Sequence, residues 1–380
     1  MKKLCYITTI SMTLDAFVLE SAKYIHENTG WDITFVCDFD EFFQTKLPDY
    51  IHYHPIRMSR GISLNGISAM LQMMKLFKTE KFDMIQYSTP NASLYASMAG
   101  KLARVPVRLY CQWGMAYVGF NGRKRQIFKM IEKLVCRLST WIEPDSKSNL
   151  EFSHKERLYS ENKSSVIWNG SACGVNLGKF NVERKEEYRR LIREKHDIPA
   201  DAFVFGYVGR ITRDKGVNEL LHATQLLIGN NSKIYLLMVG PEEVDDTVDQ
   251  TLFQWSKESH QVRYVGRTEN VEQYMAAMDC YVLPSYREGF GMTVVEAEAM
   301  AVPVIITNIP GPVDGMERDV TGYVVEKKNS IELLNAMKKM IQSKELNMGD
   351  NGLNLVKTKF EQTQLFEYIL SDRKRLMETS

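Results

Sequence analysis

Short apolar runs alternate with longer amphipathic stretches along the whole sequence. The runs are rich in β-branched and aromatic residues, and most are followed by a polar or glycine-bearing turn and then by apolar residues at helical spacing, a pattern typical of strand–helix–strand units. The pattern predicts strands at 4–10, 33–37, 84–87, 107–111, 141–145, 165–168, 203–209, 234–239, 262–265, 280–283, 304–307 and 322–325. The predicted fold class is therefore α/β.

The stretch 279–308 carries the densest candidate chemistry. It predicts a strand, a polar turn, a helix from Thr293 and a second strand, with one carboxylate in the turn (Glu288) and one in the helix (Glu296). Gly289 and Gly291 let the backbone approach a ligand closely, and the N–H groups of the helix start favour a phosphate. This arrangement suits a sugar nucleotide, with Glu296 on the ribose hydroxyls and Glu288 on the transferred sugar.

The motif Glu, seven residues, Glu, embedded as S-Y-R-E-G-F-G-M-T-V-V-E-A-E-A-M-A-V-P-V-I, resembles that of glycosyltransferase family 4. The resemblance implies retaining sugar transfer and the glycosyltransferase-B fold, in which two Rossmann-like domains with parallel sheets face an interdomain cleft. It places an acceptor-binding domain at 1–170 and a donor-binding domain at 171–361, with a final helix at about 362–380 that packs back onto the first.

The resemblance also assigns roles on the donor side. Arg210 and Lys215, after the strand 203–209, match the basic pair that grips the donor diphosphate, and with Glu288 they are the expected catalytic residues. Two cations there would stabilise the charge that grows on the leaving nucleoside diphosphate. The expected donor-binding residues are Gly209, Gly266, Arg267, Thr268, Gly289, Phe290, Gly291, Met292, Thr293 and Glu296.

On the acceptor side the sequence departs from the family pattern. The loop after the first strand contains Met12 and Thr13 where relatives carry a glycine pair, so we expect it to shape the acceptor side. Trp113, followed by Gly114, stands where many relatives have a histidine. It could stack on a sugar face or pack in the core, and the sequence leaves both open.

Charge is unevenly distributed over the 380 residues, although the net charge is only +1. Residues 51–140 hold 14 basic and 3 acidic residues, so the N-terminal half is expected to face an anionic partner. The stretch 123–138 is a basic amphipathic helix that could lie on an anionic membrane surface or pack on the sheet with a basic solvated face. No nucleic-acid motif accompanies the charge.

The composition of the chain argues against a membrane-spanning protein, a disulfide-rich protein and a zinc protein. No run of about 18 apolar residues is present, so no membrane span is expected. The six cysteines are scattered without a CxxC pair or a histidine at metal-binding spacing, which predicts neither a disulfide framework nor a zinc site and favours a reducing compartment. Asp38-Phe39-Asp40 has the spacing of a metal-binding carboxylate pair, but we interpret it as a solvated acidic loop.

The resemblance thus implies a bacterial, metal-independent, retaining glycosyltransferase without a cofactor. It would move a hexose or N-acetylhexosamine from a nucleotide sugar, with UDP expected, to a saccharide acceptor linked to a lipid diphosphate. The expected location is cytoplasmic, at the inner face of the cytoplasmic membrane, in surface or capsule polysaccharide biosynthesis. Two alternatives remain: a sugar-nucleotide 2-epimerase of the same fold, and a non-catalytic sugar-nucleotide-binding subunit.

Overall fold

The structure is a computed structural model that describes residues 1–58, 64–229, 233–343 and 346–378. It divides into two compact units. The first unit contains Met1–Cys173 and Thr363–Ser380, and the second contains Gly174–Gln362. The boundaries predicted from the sequence lie at 170/171 and 361/362.

The first unit is built on a parallel sheet with helices on both faces. Its described strands are β1 Lys3–Ile7, β2 Asp32–Cys37, β3 Ile51–Pro55, β4 Met84–Tyr87, β5 Val107–Gln112 and β6 Trp141–Pro144. Its described helices are α1 Ser11–Phe17, α2 Leu19–Thr29, α3 Glu41–Lys46, α4 Leu64–Glu80, α5 Pro90–Leu102, α6 Gly122–Leu138, α7 Lys147–Lys155 and α15 Gln362–Glu378. The strand order β3-β2-β1-β4-β5-β6 is that of a Rossmann fold.

Side chains of the central strand β1 point alternately into the two core clusters that cover the two faces of this sheet. Leu4 and Tyr6 enter a core cluster with α1, α2 and α15, whereas Cys5 and Ile7 enter the cluster formed with α4, α5 and α6. Successive side chains of a strand point to opposite faces, so a strand covered on both sides must be apolar throughout. This requirement explains the short, continuous apolar runs in the sequence.

The C-terminal helix α15 is held on the first unit by apolar packing and by one buried charge. Leu365 and Phe366 lie in the core cluster, and the Phe366 ring lies 5.8 Å from that of Tyr24 in α2. Arg373, only 1 % exposed, binds both carboxylate oxygens of Glu143 in β6 and donates to Gln86 Oε1 in β4 over 3.2 Å. The helix is therefore anchored to two strands of the sheet.

The second unit repeats the same plan. Its described strands are β7 Phe203–Val208, β8 Ile234–Val239, β9 Val262–Gly266, β10 Cys280–Leu283, β11 Val304–Thr307 and β12 Gly322–Val325. Its described helices are α8 Lys185–Lys195, α9 Val217–Ile228, α10 Gln250–Glu258, α11 Val271–Ala276, α12 Met292–Ala299, α13 Ser330–Gln342 and α14 Met348–Lys359. All strands are parallel, and in the order β12-β11-β10-β7-β8-β9 the strand order reverses between β7 and β10, where ligands bind in such sheets.

Two details of the first unit differ from the sequence-based expectation. The strand predicted at 165–168 is wrong: a single parallel bridge joins Ile142 to Ser164, and Trp168 has a left-handed backbone (φ 50°) that an extended strand does not adopt. Strand β3 was missed because its sequence, Ile-His-Tyr-His-Pro, is mostly polar. As an edge strand it leaves those side chains largely exposed.

Candidate functional site

Two loops meet at the carboxyl ends of β7 and β10 in the second unit. Residues 209–216 follow β7, and residues 284–291 follow β10. The Tyr286 N–H donates to the Asp214 carbonyl over 2.9 Å, and a Cβ on Gly216 would lie 2.0 Å from the Pro284 carbonyl oxygen. Gly216 also has φ 74°, so only glycine permits both the turn and the contact between the loops.

The predicted catalytic residues Lys215 and Glu288 form an ion pair across these loops. Their Nζ–Oε1 distance is 2.6 Å, and the side chains are 20 % and 13 % exposed. A second pair, Arg287 to Asp214 at 2.9 Å, joins the same loops nearby. The two bridges fix the loops against each other. The first of them holds the Lys215 ammonium and the Glu288 carboxylate side by side at the strand ends.

The third predicted catalytic residue, Arg210, has a different partner. Its guanidinium binds Glu243 over 2.9 Å, and both side chains are about half exposed. The Tyr207 hydroxyl fixes the Arg210 backbone by donating to its carbonyl over 2.6 Å. Because an exposed ion pair is worth only about 0–1 kcal/mol, the guanidinium can exchange Glu243 for an anionic ligand at little cost.

The loop 284–291 leads directly into α12. Gly291, with φ 81°, is the N-cap, and as a glycine it has no side chain that could cap the helix. Phe290 lies in the core, with its ring 5.4 Å from that of Phe360, so its side chain anchors the loop. Met292 begins the helix, and the Thr293 hydroxyl is held by that of Tyr281 at 2.6 Å. The positive end of the helix dipole therefore lies beside Lys215 and Glu288, and it favours an anion.

Glu296 lies in the second turn of α12. Burial raises the pKa of this carboxyl to about 7; Lys179 opposes the rise, and the carboxylate of Glu272 adds to it. The carboxyl thus titrates near neutral pH. Lys179 and Glu272 were missed in the sequence analysis because neither belongs to the motif, and no signal in the sequence places them beside Glu296.

Three of the expected donor-binding residues, Gly266, Arg267 and Thr268, lie at the end of β9, beside the end of β8. The Gly240 N–H donates to the Gly266 carbonyl over 2.9 Å, and a Cβ on Gly240 would lie 1.9 Å from the Gly209 carbonyl oxygen. The three glycines therefore bring these strand ends into backbone contact, and nothing lies within 4 Å of a Cβ built on Gly266. The Arg267 side chain beside this open space is exposed, and the Thr268 hydroxyl accepts from the Asn270 N–H over 3.1 Å.

Positioning residues around the two loops were also missed. The Tyr286 hydroxyl donates to the Glu219 carboxylate, 2.7 Å from both of its oxygens, and the Lys328 ammonium lies 4.9 Å from the centre of the Tyr286 ring. Tyr286 belongs to the motif, but the sequence does not show that α9 and the loop before α13 supply its partners. These contacts tie the loop 284–291 to two further elements.

The acceptor-side candidates lie at strand ends of the first unit. Met12 is exposed and Thr13 half-buried in the first turn of α1. Trp113 packs against Phe17, with ring centroids 5.6 Å apart at 48°, and lies at the margin of the core cluster that contains α1. Gly114 follows with φ 98°. Trp113 therefore packs against Phe17 on one side, and part of its side chain remains accessible to solvent.

The amphipathic helix α6 has two different apolar faces. Val135 and Cys136 are buried, and Glu132, the single acidic residue of the helix, accepts from Tyr110 and Gln112 of β5 over 2.9 and 2.6 Å. The opposite face exposes three large apolar side chains and four basic ones, namely Ile127, Met130, Leu134, Arg123, Lys124, Lys133 and Arg137. Packing on the sheet therefore accounts for only part of the apolar stripe.

The described residues include neither a membrane-spanning helix nor a cluster of metal ligands. Among the described helices, none combines the length and the apolar character that a membrane crossing requires. In the same part of the chain, no three His, Cys, Asp or Glu side chains are grouped so that they could hold a metal ion. Asp40 caps α3 by accepting from the Phe43 N–H over 3.0 Å, and it also accepts from the Ser11 hydroxyl.

Two family models match this chain. Residues 188–352 match the family model of glycosyl transferases group 1, and residues 3–144 match that of glycosyl transferase 4-like proteins. The capsular polysaccharide biosynthesis glycosyltransferase CapM of Staphylococcus aureus is 30 % identical over 84 % of this chain and 83 % of its own length.

A second relative and a solved structure extend the comparison over almost the whole chain. The UDP-Gal:alpha-D-GlcNAc-diphosphoundecaprenol alpha-1,3-galactosyltransferase of Escherichia coli is 24 % identical over 87 % of each chain. The crystal structure of HepE from Anabaena in complex with UDP and glucose superposes with a TM-score of 0.80 at 18 % identity, covering 99 % of this chain and 100 % of HepE. The chain therefore belongs to the group 1 glycosyltransferases, a family that it shares with capsular polysaccharide enzymes, and it is a sugar-transferring enzyme of the glycosyltransferase-B fold.

Proposed function

We propose that this enzyme transfers a hexose or N-acetylhexosamine from a UDP-sugar to a saccharide linked to a lipid diphosphate, with retention of the anomeric configuration. The observation that carries the donor half of the proposal is the Lys215–Glu288 pair beside the start of α12. The acceptor half is supported by the name of the E. coli relative, which acts on a sugar linked to diphosphoundecaprenol, and by that of CapM, which belongs to capsular polysaccharide biosynthesis.

In this proposal the positive groups of the two loops receive the donor diphosphate. Lys215, the N–H groups at the start of α12 and the displaceable Arg210 would bind it, since all of them follow β7 or β10 in the chain. Their fixed positive charge stabilises the negative charge that develops on the leaving UDP, so the reaction needs neither a metal nor a cofactor. Glu288 binds hydroxyls of the transferred sugar, and Glu296 binds the ribose.

Transfer with retention of the anomeric configuration requires few further groups from the protein. The acceptor hydroxyl attacks the anomeric carbon from the face that UDP leaves, and a phosphate oxygen of the departing UDP accepts the hydroxyl proton. The new glycosidic bond forms as the bond from the anomeric carbon to UDP breaks, so no nucleophilic side chain takes part. The protein contributes binding, orientation and electrostatic stabilisation.

The proposal is tested by incubating the protein with UDP, GDP, ADP and a panel of UDP-sugars. We expect UDP and one UDP-sugar to raise the melting temperature, because a bound ligand stabilises the folded state. With a synthetic polyprenyl-diphosphate N-acetylhexosamine present, that sugar should be transferred with its anomeric configuration kept, and EDTA should not slow the transfer. Conversion of the UDP-sugar without an acceptor would instead identify an epimerase, and binding without turnover a non-catalytic subunit.

The raised pKa of Glu296 predicts a pH-dependent donor affinity. Below a pH of about 7 the carboxyl is protonated and loses acceptor capacity for the ribose hydroxyls, so the Kd for UDP should rise several-fold between pH 8 and pH 6. Calorimetric titration should show that Glu296→Gln reduces this dependence to the part that comes from the titration of UDP itself, whereas Glu258→Gln on the exposed face of α10 keeps the wild-type dependence. UDP's own titration is common to all three proteins, so equal pH profiles for wild type and Glu296→Gln would reject this role for Glu296.

We also propose that α6 docks the enzyme on the inner face of the cytoplasmic membrane. Met130, 69 % exposed, and Ile127 point away from the core with basic residues around them, and each basic residue near an anionic leaflet can add about 1 kcal/mol to binding. The wild type should float with vesicles that contain anionic lipid, and Ile127→Asp with Met130→Asp should abolish flotation. Leu226→Asp, at an exposed position of α9, is the control. Equal flotation of all variants would reject α6 as the docking element.

A further inference from the structure

A groove runs along the edge strand β6 of the first unit, beneath α15. It has a volume of about 460 Å³ and is lined by Trp141 in β6, by residues 165–168 and by one side of α15, including Tyr368 and Asp372. All of these residues belong to the first unit, whereas the donor loops 209–216 and 284–291 belong to the second. The groove is therefore made of residues that the transfer chemistry does not use.

Aromatic side chains form the walls of this groove. The rings of Trp168 and Tyr368 stack with centroids 5.5 Å apart and planes 12° from parallel, although Tyr368 is 49 % exposed. Trp141 lies beneath the Arg375 guanidinium, 4.8 Å from its ring centroid, and its indole N–H donates to the Ser165 hydroxyl over 3.1 Å. The two tryptophans pack against the core cluster on one side, and together with Tyr368 they border a solvent-accessible space on the other.

Polar groups along α15 are held in place at the rim of the groove. One Asp372 oxygen accepts from Arg375 over 2.5 Å, and the other from the buried Arg373 over 3.0 Å. Asp372 and Arg375 are thus pre-oriented and neutralise each other locally. Ser165 and Ser371 add hydroxyl groups. The lining combines flat apolar faces with oriented hydrogen-bonding groups and has no net charge, because its one acidic and one basic residue cancel.

Trp168 also has an unusual backbone conformation. Its φ of 50° lies in the left-handed region, which is unusual for a bulky residue, and the side chain remains half-buried at the groove. Such outliers persist where the surrounding structure holds them, and they concentrate at functional sites. In this conformation the indole stacks on the Tyr368 ring.

We propose that this groove binds a segment of an uncharged oligosaccharide chain. One face of a pyranose ring presents C–H groups that pack on aromatic rings, and its edge presents hydroxyls that match Asp372, Arg375 and the serines. The inference rests on the proposed function, since an enzyme that extends a lipid-linked saccharide has a glycan to hold. The neutral lining favours a sugar chain over an anionic membrane or a charged peptide.

The test uses the full-length protein and three linear probes: maltoheptaose, cellopentaose and tetra-N-acetylchitotetraose. Because two tryptophans line the groove, binding of at least one probe should change tryptophan fluorescence and give a saturable titration. Tyr368→Ala removes an exposed ring and should raise the Kd for that probe about five- to tenfold, the expected scale for loss of one aromatic contact. Ser371→Trp, which fills the groove from α15, should abolish the binding.

Matched controls separate this inference from the proposed transfer reaction. Glu367→Ala, an exposed neighbour on α15 outside the groove, should bind the probe as the wild type does. The thermal shift caused by UDP should be the same in all variants, because its proposed site lies in the second unit. If the protein bound the probe but not UDP, the groove proposal would stand and the proposed donor site would be contradicted. Absence of binding for all three probes, or equal affinity in Tyr368→Ala, would overturn the groove proposal.

Discussion

Replacing Lys215 by alanine should lower kcat/KM for sugar transfer by about 10²-fold or more. The ammonium lies 2.6 Å from the Glu288 carboxylate, at the ends of β7 and β10. Removing one fixed electrostatic group that acts on developing charge typically costs a factor of 10² to 10³. Steady-state UDP release at several donor concentrations measures the loss, and a fall in kcat at unchanged donor KM would place the effect in the transition state.

Lys233→Ala is a matched control for this variant. Lys233 also pairs with a carboxylate, that of Asp201 over 2.5 Å, but it precedes β8 at the opposite end of the sheet and is 67 % exposed. It should keep wild-type activity. Glu288→Ala should cost about as much as Lys215→Ala, and the double variant less than the product of the two losses, because the pair acts as one unit. Wild-type turnover in Lys215→Ala would remove the ion pair from the mechanism.

The sequence predicts those parts of the fold and site that depend on local pattern. The central strands were predictable because each is buried on both faces and therefore continuously apolar. Lys215 and Glu288 were predictable as members of a motif, and they meet because their loops follow adjacent parallel strands. Strand β3 was not predictable in this way, since an edge strand need not be apolar.

The remaining features depend on contacts between residues that are far apart in the sequence. Arg210 pairs with Glu243 from the loop after β8, and Glu296 gains its raised pKa from burial, with Lys179 and Glu272 as its charged neighbours. No local spacing encodes such pairs, because the order of strands in the sheet brings them together. Trp168 is a further case: an apolar run predicted a strand, whereas the chain there takes a left-handed turn and lines a groove.

Replacing Arg373 by alanine should destabilise the first unit by about 3–5 kcal/mol. The guanidinium is 1 % exposed and binds Glu143 through two hydrogen bonds, so its loss leaves a buried carboxylate without a countercharge. Tyr6, Gln86 and Cys111 surround the site and supply no replacement cation. Urea unfolding followed by tryptophan fluorescence should show a lower midpoint for the variant, because Trp31, Trp113, Trp141 and Trp168 all lie in this unit.

Arg375→Ala distinguishes the loss of a buried charge from the loss of any arginine on α15. Arg375 also pairs with a carboxylate, that of Asp372, but its side chain is 45 % exposed, so the change should stay within about 1 kcal/mol of the wild type. Replacing both partners of the buried pair, in Arg373→Met with Glu143→Leu, should recover most of the lost stability, since no unpaired charge then remains. If Arg373→Ala unfolded at the same urea concentration as Arg375→Ala, apolar packing of Leu365 and Phe366 would by itself hold α15 on the sheet, and the buried charge would contribute nothing to it.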